Sequence, residues 1–387
     1  MLTRDVYDLA VVGAGIVGLA HALAAARLGK RVVVFERDLE AVGASIRNFG
    51  FVTVTGQPGG ETWRRARRSR DVWREIAALA GITIEHEGLT VVARRPEARA
   101  VLEAFLDTSM AEGCMLLTPQ EAIRHVPSLA AESISAALYS PHEMRVESRT
   151  ALPRLARLLA ERFGVTFHYG KAVQAVSPPK ITTSRGQVEA SRVVVCPGDD
   201  FVTLFPEIAA QHRLTRCQLQ MMRLVPADAG FTLGTAVMSD LGLVRYGGYA
   251  ALPEAAALRD RLQQEQPEHL QHGIHLIMVQ STDGSLVVGD SHLYAETPPP
   301  FSSERIDTLI LEEATAVLNL PDYHIDERWT GTYASSPDAM AVIDEPAQDV
   351  KLVYITSGTG ASTAFAIAEE VVTSLFDTPI PALEKVL

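Results

Sequence analysis

An α/β fold is predicted by three features of this sequence. The apolar run Leu9-Ala10-Val11-Val12 passes straight into Gly13-Ala14-Gly15-Ile16-Val17-Gly18, then into a helical stretch ending near Leu28 and a β-branched run at residues 31–35, closed by Glu36. Towards the other end, residues 353–356 form a second strand-like run that enters a glycine-rich turn, Gly358-Thr359-Gly360, and a long apolar helix. Between the two, runs such as residues 274–280 alternate as antiparallel strands do. The two ends read as a Rossmann-like dinucleotide-binding unit, and the middle as an inserted, mainly antiparallel α+β domain.

Each part of the first unit has a physical task. Gly13 turns tightly, Gly15 lets backbone approach a pyrophosphate, and Gly18 lets the helix pack on the strand. The helix start offers unpaired N–H groups and the positive end of its dipole to phosphate. Glu36, close to the ~20-residue spacing of such units, accepts hydrogen bonds from a ribose diol, and its charge disfavours the 2′-phosphate of NADP. The alternative for the whole motif is a plain glycine-rich turn. Further strand-like runs occupy residues 89–93, 166–169, 190–196, 274–280, 285–289 and 351–356, and helical patterns residues 97–112, 149–163, 303–318 and 362–375. Residues 166–173 read as a strand ending beside an adenine, and 192–198 as a buried parallel strand with its turn. The run Arg64-Arg65-Ala66-Arg67-Arg68-Ser69-Arg70 reads as a solvated helix face or as a surface that steers an anionic substrate.

Composition narrows the function classes. The chain has 387 residues, of which 47% are hydrophobic, enough for a large core in two or more domains. A formal net charge of −12 argues against non-specific nucleic-acid binding and against an anionic membrane surface. Cys114, Cys196 and Cys217 are odd in number and far apart, as reduced thiols are, and form neither a disulfide framework nor a metal site. The histidines have no metal-ligand spacing, so no metal is expected. Residues 9–26 are apolar but glycine-punctuated, and the nucleotide fold accounts for them better than a signal peptide or a membrane span. The reading is a soluble, cytoplasmic protein.

A second helix start at a small-residue turn suits a second part of the same ligand. A flavin fits, since reduced flavin carries negative charge that a helix N-terminus stabilises. An ordinary turn closing a βα unit is the alternative. Taken together, Gly13–Gly18 with Glu36, Gly43-Ala44-Ser45 with Asn48 and Gly50, Trp329-Thr330-Gly331 with Ser336-Pro337-Asp338, and Gly358-Thr359-Gly360 resemble the D-amino acid oxidase, glycine oxidase and sarcosine oxidase family over most of the chain. The resemblance implies bound FAD, a two-domain fold and oxidation of a C–N bond in a small amine. It implies that Gly13, Gly15 and Gly18 cradle the pyrophosphate, Glu36 holds the adenosine ribose, and Ser45 and Asn48 lie along the ribityl chain and flavin. Val173 would meet adenine through its backbone, and Gly358, Thr359, Gly360, Ala361 and Ser362 the pyrimidine end of the flavin. Ile16, Val17, Arg37, Arg47 and Gly198 complete the expected cofactor set. The FAD-binding domain is expected to take residues 1–85, 145–215 and 330–387, and the substrate domain residues 86–144 and 216–329.

The sequence also departs from that family. Amino-acid oxidases of this type place a carboxylate-clamping arginine two residues after the Trp-x-Gly glycine, and this chain has Tyr333 there. No cysteine lies in the C-terminal region where sarcosine oxidases attach flavin, so FAD is expected to be non-covalent. A narrower likeness rests on residues 44–51, Thr55-Gly56-Gln57, Arg216-Cys217-Gln218-Leu219-Gln220-Met221 and Gly289-Asp290-Ser291-His292. These resemble FAD oxidoreductases linked to phosphonate breakdown, which implies an aminophosphonate such as 2-aminoethylphosphonate or its N-methyl or hydroxy relatives. The imine formed would hydrolyse to phosphonoacetaldehyde, with O2 or another acceptor taking the electrons.

A phosphonate needs charge-assisted donors. Arg47, Arg216, Arg245 and His292 are the candidates, with Tyr246, Tyr249 and Tyr333 as pocket walls; each has a structural alternative, a salt bridge, a turn or core packing. No catalytic acid or base is assigned, because the flavin carries the chemistry. The competing functions are a glycine- or sarcosine-type oxidase, a non-catalytic flavoprotein and an NAD-dependent dehydrogenase.

Overall fold

The computed structural model describes residues 6–383. Residues 1–5 and 384–387, at the two ends of the expected FAD-binding domain, lie outside the described residues. The chain builds two sheets. In the first, the order is Ala341–Ala347, Val350–Ile355, Gly186–Val195, Val6–Val12, Val32–Phe35, Thr166–His168. The last five of these run parallel, and Ala341–Ala347 is an antiparallel edge. A hairpin of Val173–Ser177 and Lys180–Thr183 extends Gly186–Val195 sideways.

The β-branched run at the second strand explains why it sits inside this sheet. Successive residues point to opposite faces, and both faces are covered. Leu9, Val11, Val32, Val34 and Val194 face a core shared with the helices Ile16–Arg27, Glu61–Ala80, Ser148–Phe163 and Gly360–Phe376. Ala10, Val33, Phe35, Val193 and Val195 face a second core with Leu352 and Tyr354. Ile16–Arg27 is apolar around most of its circumference, and nearly every residue in it is buried. Such a helix belongs between layers.

The second sheet has ten strands, in the order Leu293–Ala295, Thr215–Pro226, Leu286–Gly289, Ile277–Gln280, Ala236–Ser239, Ile84–Ala93, Ala136–Val146, Phe51–Val52, with Tyr323–Ser335 also paired to Thr215–Pro226 and Met115–Leu117 to Ala136–Val146. Its pairings are antiparallel except for Ala236–Ser239 on Ile84–Ala93. The run at residues 274–280 forms its strand only from Ile277, which leaves His275 just ahead of it. The pattern at residues 97–112 divides into the helix Pro96–Leu106 and a short 3-10 turn, Ser109–Ala111.

The basic run lies on Glu61–Ala80 and is neither a free solvated face nor a steering surface. Arg65 pairs with Glu61 and Glu370, Arg68 with Glu369, and Arg67 with Glu112. The pairs with Glu369 and Glu370 tie the helix to Gly360–Phe376, as does the Trp73 Nε1–H bond to the Ala361 carbonyl at 2.8 Å.

Gly13 and Gly18 carry the tightest approach in the first unit. Gly13 has φ +102°, and a Cβ on Gly18 would lie 1.9 Å from the Gly13 carbonyl oxygen. Gly18→Ala must therefore push the helix off the strand, and overpacking of this kind costs about 1–3 kcal/mol or more. The expected outcome, read by denaturant unfolding, is a less stable protein that also retains less FAD.

Candidate active site

The C-terminal ends of the parallel strands open into one cavity of ≈ 830 Å³. Every residue assigned to the cofactor from sequence borders it: Gly13, Gly15, Ile16, Val17, Gly18, Glu36, Arg37, Ser45, Arg47, Asn48, Val173, Gly198 and Gly358 through Ser362. Glu36 caps the second strand. Its Oε2 accepts from the Ala14 N–H at 2.9 Å and its Oε1 from the Asp38 N–H at 3.1 Å. Each carboxylate oxygen can accept a further bond, so the side chain can still take a diol. The Ser45 hydroxyl accepts from the Ile16 N–H at 3.0 Å, at the start of the first helix.

Two polar side chains in this set are already engaged. Asn48 donates to the Ala44 carbonyl at 2.7 Å and accepts from the Gly50 N–H at 2.6 Å, so it shapes its own loop. The Ser362 hydroxyl accepts from the Thr53 N–H at 2.8 Å and joins the C-terminal helix to the strand Phe51–Val52.

The other end of the cavity is walled by the second sheet. Arg245, Tyr246, His275, Asp290, His292, Tyr294 and Tyr333 border it. Arg245 donates to the Tyr294 hydroxyl at 2.9 Å. It has no ion-pair partner among the described residues, unlike the buried Arg95, which pairs with Asp240 at 2.8 Å. Arg47 is exposed at the rim, with only a long contact to the Thr330 carbonyl at 3.5 Å.

Two of the residues proposed for the substrate stand elsewhere. Tyr249 is 1% exposed, packed on Phe105 with ring centroids 4.6 Å apart, and belongs to the core. Arg216 lies over Phe201 and pairs with Asp199. Sequence alternation cannot say which face an aromatic or an arginine will take, and here packing and a nearby acid decide.

His292 keeps its place at the cavity but not the role of a cation. Its Nδ1 lies 2.8 Å from the Gly273 carbonyl, an acceptor, so Nδ1 carries the proton and Nε2 is a lone pair. Burial, and then the charge of Arg245, hold both His292 and His275 well below the ordinary histidine range. Both rings are neutral at physiological pH. Burial pushes Asp290 up to about 8, against the opposing pull of Arg245. His275, Asp290 and His292 bring ligand-type atoms within 4.8 Å of one another, a grouping the histidine spacing did not reveal. The positive charge of Arg245 beside all three opposes a further cation there. Sequence offered one signal for this cluster, the Gly289-Asp290-Ser291-His292 turn, and none for His275.

These features define a two-sheet oxidoreductase fold whose nucleotide-binding sheet opens into a polar pocket. The chain belongs to the FAD dependent oxidoreductase family, whose model matches residues 8–373. It is 26% identical to the glycine oxidase of Geobacillus kaustophilus (strain HTA426) over 205 residues, which is 50% of this chain and 54% of that enzyme. The chain thus spans about half the length of that relative in sequence. In three dimensions it resembles the crystal structure of glycine oxidase from Geobacillus kaustophilus (TM-score 0.76, 18% identity, 98% of this chain and 97% of that one). It also resembles L-proline dehydrogenase from P. horikoshii (TM-score 0.78, 19% identity, 98% and 96%). Among the described residues no helix is long and apolar enough to cross a membrane.

FAD fits the residues present. The turn at Gly13 has no room for a Cβ, which would lie 2.5 Å from the Cys196 carbonyl oxygen, so backbone alone lines that wall. The first and last helices both begin at the cavity, and Glu36 borders it beside the first of them. Glu36→Ala should weaken FAD retention by about 1–3 kcal/mol, the usual cost of a hydrogen bond to a charged group, measured by the free FAD concentration needed to reload the apoprotein.

Asp290 also sets a pH dependence. The folded protein keeps a proton there that the unfolded chain releases, so this stabilisation is complete below the ordinary carboxyl range and is lost as pH rises through about 8. Asp290→Asn does not titrate. Its melting temperature should fall less than that of the wild type between pH ~5 and ~9.

Proposed function

We propose that this chain oxidises the C–N bond of a small anionic amine, and that the anion is a phosphonate, as in 2-aminoethylphosphonate or its N-methyl or hydroxy relatives. The observation that carries this reading is Arg245, a guanidinium in the cavity wall with a phenol for a partner and no carboxylate at ion-pair distance among the described residues. Such a group is completed by an anionic ligand, and a dianion gains more from it than a monoanion. Tyr333, standing where amino-acid oxidases of this family carry their carboxylate clamp, supports a substrate other than a simple α-amino acid. Its ring borders Gly358, where a Cβ would come within 3.0 Å of it.

FAD bound in the cavity supplies the two-electron oxidant. The protein's residues do the rest. Arg245 with the Tyr294 hydroxyl fixes the phosphonate, and Arg47 at the rim attracts it. Phe49, Phe51, Leu219 and Ile277 border the same space and keep it dry, which strengthens each polar contact. The imine product hydrolyses to phosphonoacetaldehyde and ammonia or methylamine, and O2 or another acceptor takes up the electrons. FAD is held without a covalent bond: Cys114 and Cys217 do not border the cavity, and burial pushes the Cys196 thiol far up, so it is a poor nucleophile. Acid precipitation should therefore leave the yellow colour in the supernatant.

A glycine- or sarcosine-type oxidase is the second reading, and the similarity to glycine oxidase favours it. Anaerobic mixing with 2-aminoethylphosphonate, its N-methyl form, glycine, sarcosine and β-alanine separates the two by the rate of flavin bleaching. The aminophosphonates should be fastest; if glycine or sarcosine leads, the second reading replaces the first. A flavin bleached by no amine would mark a non-catalytic flavoprotein. Arg245→Ala should cost about 2–5 kcal/mol in kcat/KM for the phosphonate, with Arg47→Ala costing less, because Arg47 is exposed to solvent.

A further inference from the structure

We propose that the Asp290 carboxylate, flanked by His275 and His292, accepts the proton that the substrate ammonium must lose before its carbon can be oxidised. The proposal rests on the amine-oxidising reading above and adds residues to which that reading gave no part.

The geometry begins with the His292 ring. With Nδ1–H given to the Gly273 carbonyl, the Nε2 lone pair faces Asp290 Oδ2 at 3.8 Å. On the other side His275 Nδ1 lies 3.1 Å from Asp290 Oδ1, yet neither atom has a hydrogen-bond partner of good geometry. The placement is rigid. His275 and Asp290 exchange two backbone hydrogen bonds, at 3.2 and 2.9 Å, and both side chains are about 95% buried from solvent, with relative exposures of 4% and 5%. A carboxyl buried this far, with one oxygen that has no hydrogen-bond partner, favours its neutral form.

The groups facing Asp290 fix the charge of the cluster. Arg245 and Tyr246 approach from the segment before the short helix Gly247–Ala250, His275 from the strand entry, Cys217 from Thr215–Pro226, and His292 from its own turn. Arg245 is the one cation among them. It disfavours a charged imidazole, so the exchangeable proton belongs to Asp290. Burial pushes that carboxyl up to about 8, close to the basicity of an amine that has just left water.

The step balances simply. It starts from the ionised form of Asp290, the minor form at neutral pH and the major one above about 8: a substrate ammonium N–H bond breaks and an Asp290 O–H bond forms. The amine is left neutral with a free lone pair, while Arg245 keeps the substrate anion. No electron moves in this step. A neutral amine is what hydride loss from the adjacent carbon requires, because the lone pair stabilises the positive charge that develops there.

Two readouts test this. The first needs no turnover: infrared titration of the holoenzyme against Asp290→Asn. A protonated-carboxyl band should be present near neutral pH in the wild type, fade through about pH 8, and be missing in the variant. An Asp290 that is ionised throughout, or a divalent ion bound stoichiometrically by the cluster, would overturn the proposal. If Asp290→Asn does not fold, His292→Gln removes the ring lone pair and should shift the midpoint of the band.

The second readout is the pH profile of anaerobic flavin reduction by two amines, one an ammonium ion at neutral pH and one weakly basic and already neutral. In the wild type kcat/KM for the first should rise with pH through about 8, and Asp290→Asn should lose that limb. The variant's loss should be about 10²-fold greater for the ammonium substrate than for the weak base. Equal losses with both amines would mean a structural role only and would refute the proposal. If no aminophosphonate reduces the flavin but another amine does, the phosphonate reading fails while the proton acceptor is still tested with that amine. If no amine reduces it, the infrared titration alone decides.

Discussion

The contact between the first strand and the first helix constrains everything else in the molecule. The Gly13 carbonyl and the Gly18 Cα are so close that no side chain fits between them. That closeness sets where the first helix begins, and the C-terminal helix packs along it in a shared core with Leu19, Leu23, Phe365 and Ile367. The two helix starts therefore reach the same cavity. The Thr53–Ser362 hydrogen bond then ties this pair to the second sheet, and Arg27 and Arg68, converging on Glu369, lock the far side. The polar wall of the second sheet is held opposite the nucleotide end by these few contacts.

The two ends of the cavity solve opposite electrostatic problems. At the nucleotide end the protein presents backbone, hydroxyls and carboxylates such as Glu36, and helix termini add positive character to that of Arg37 and Lys171. At the second-sheet end it places a full positive charge, Arg245, beside a carboxyl that burial keeps largely protonated. Two neutral histidines flank the carboxyl, and the phenols of Tyr294 and Tyr333 lie beside the guanidinium. An ion pair between Arg245 and Asp290 would cancel both groups. Holding them out of ion-pair distance leaves one free for an anion and the other for a proton.

Local patterning made the nucleotide unit legible. The glycine spacing, the β-branched second strand and Glu36 each act within about 30 residues of chain, and the helices at residues 149–163 and 303–318 declare themselves by their apolar period. The second sheet was harder. Its antiparallel character could be read from alternation, but its register could not. The meeting of His275 with Asp290 depends on the pairing of Ile277–Gln280 with Leu286–Gly289. The meeting of Arg245 with Tyr294 depends on an edge strand of three residues, Leu293–Ala295. Tyr249 went to the core because Gly56, far earlier in the chain, leaves a space that the Tyr249 ring fills. Likewise the arginine run resembled a free surface because its acidic partners, Glu369 and Glu370, lie some 300 residues further on.

The strand order of the parallel sheet has a consequence for biosynthesis. Val6–Val12 is bracketed by Val32–Phe35, which follows at once, and by Gly186–Val195, which arrives much later; Val350–Ile355 joins later still. As the chain leaves the ribosome, the first strand waits with one edge unpaired while the intervening segments are made. Such an edge invites aggregation. The apolar, near-isotropic helix Ile16–Arg27 also lacks the neighbour that Gly360–Phe376 later provides. Loop closure over so many residues is slow, and the nucleotide cradle is complete only when the last helix has docked. The second helix start therefore reaches the cavity only after Gly360–Phe376 has been made and has packed against the first helix.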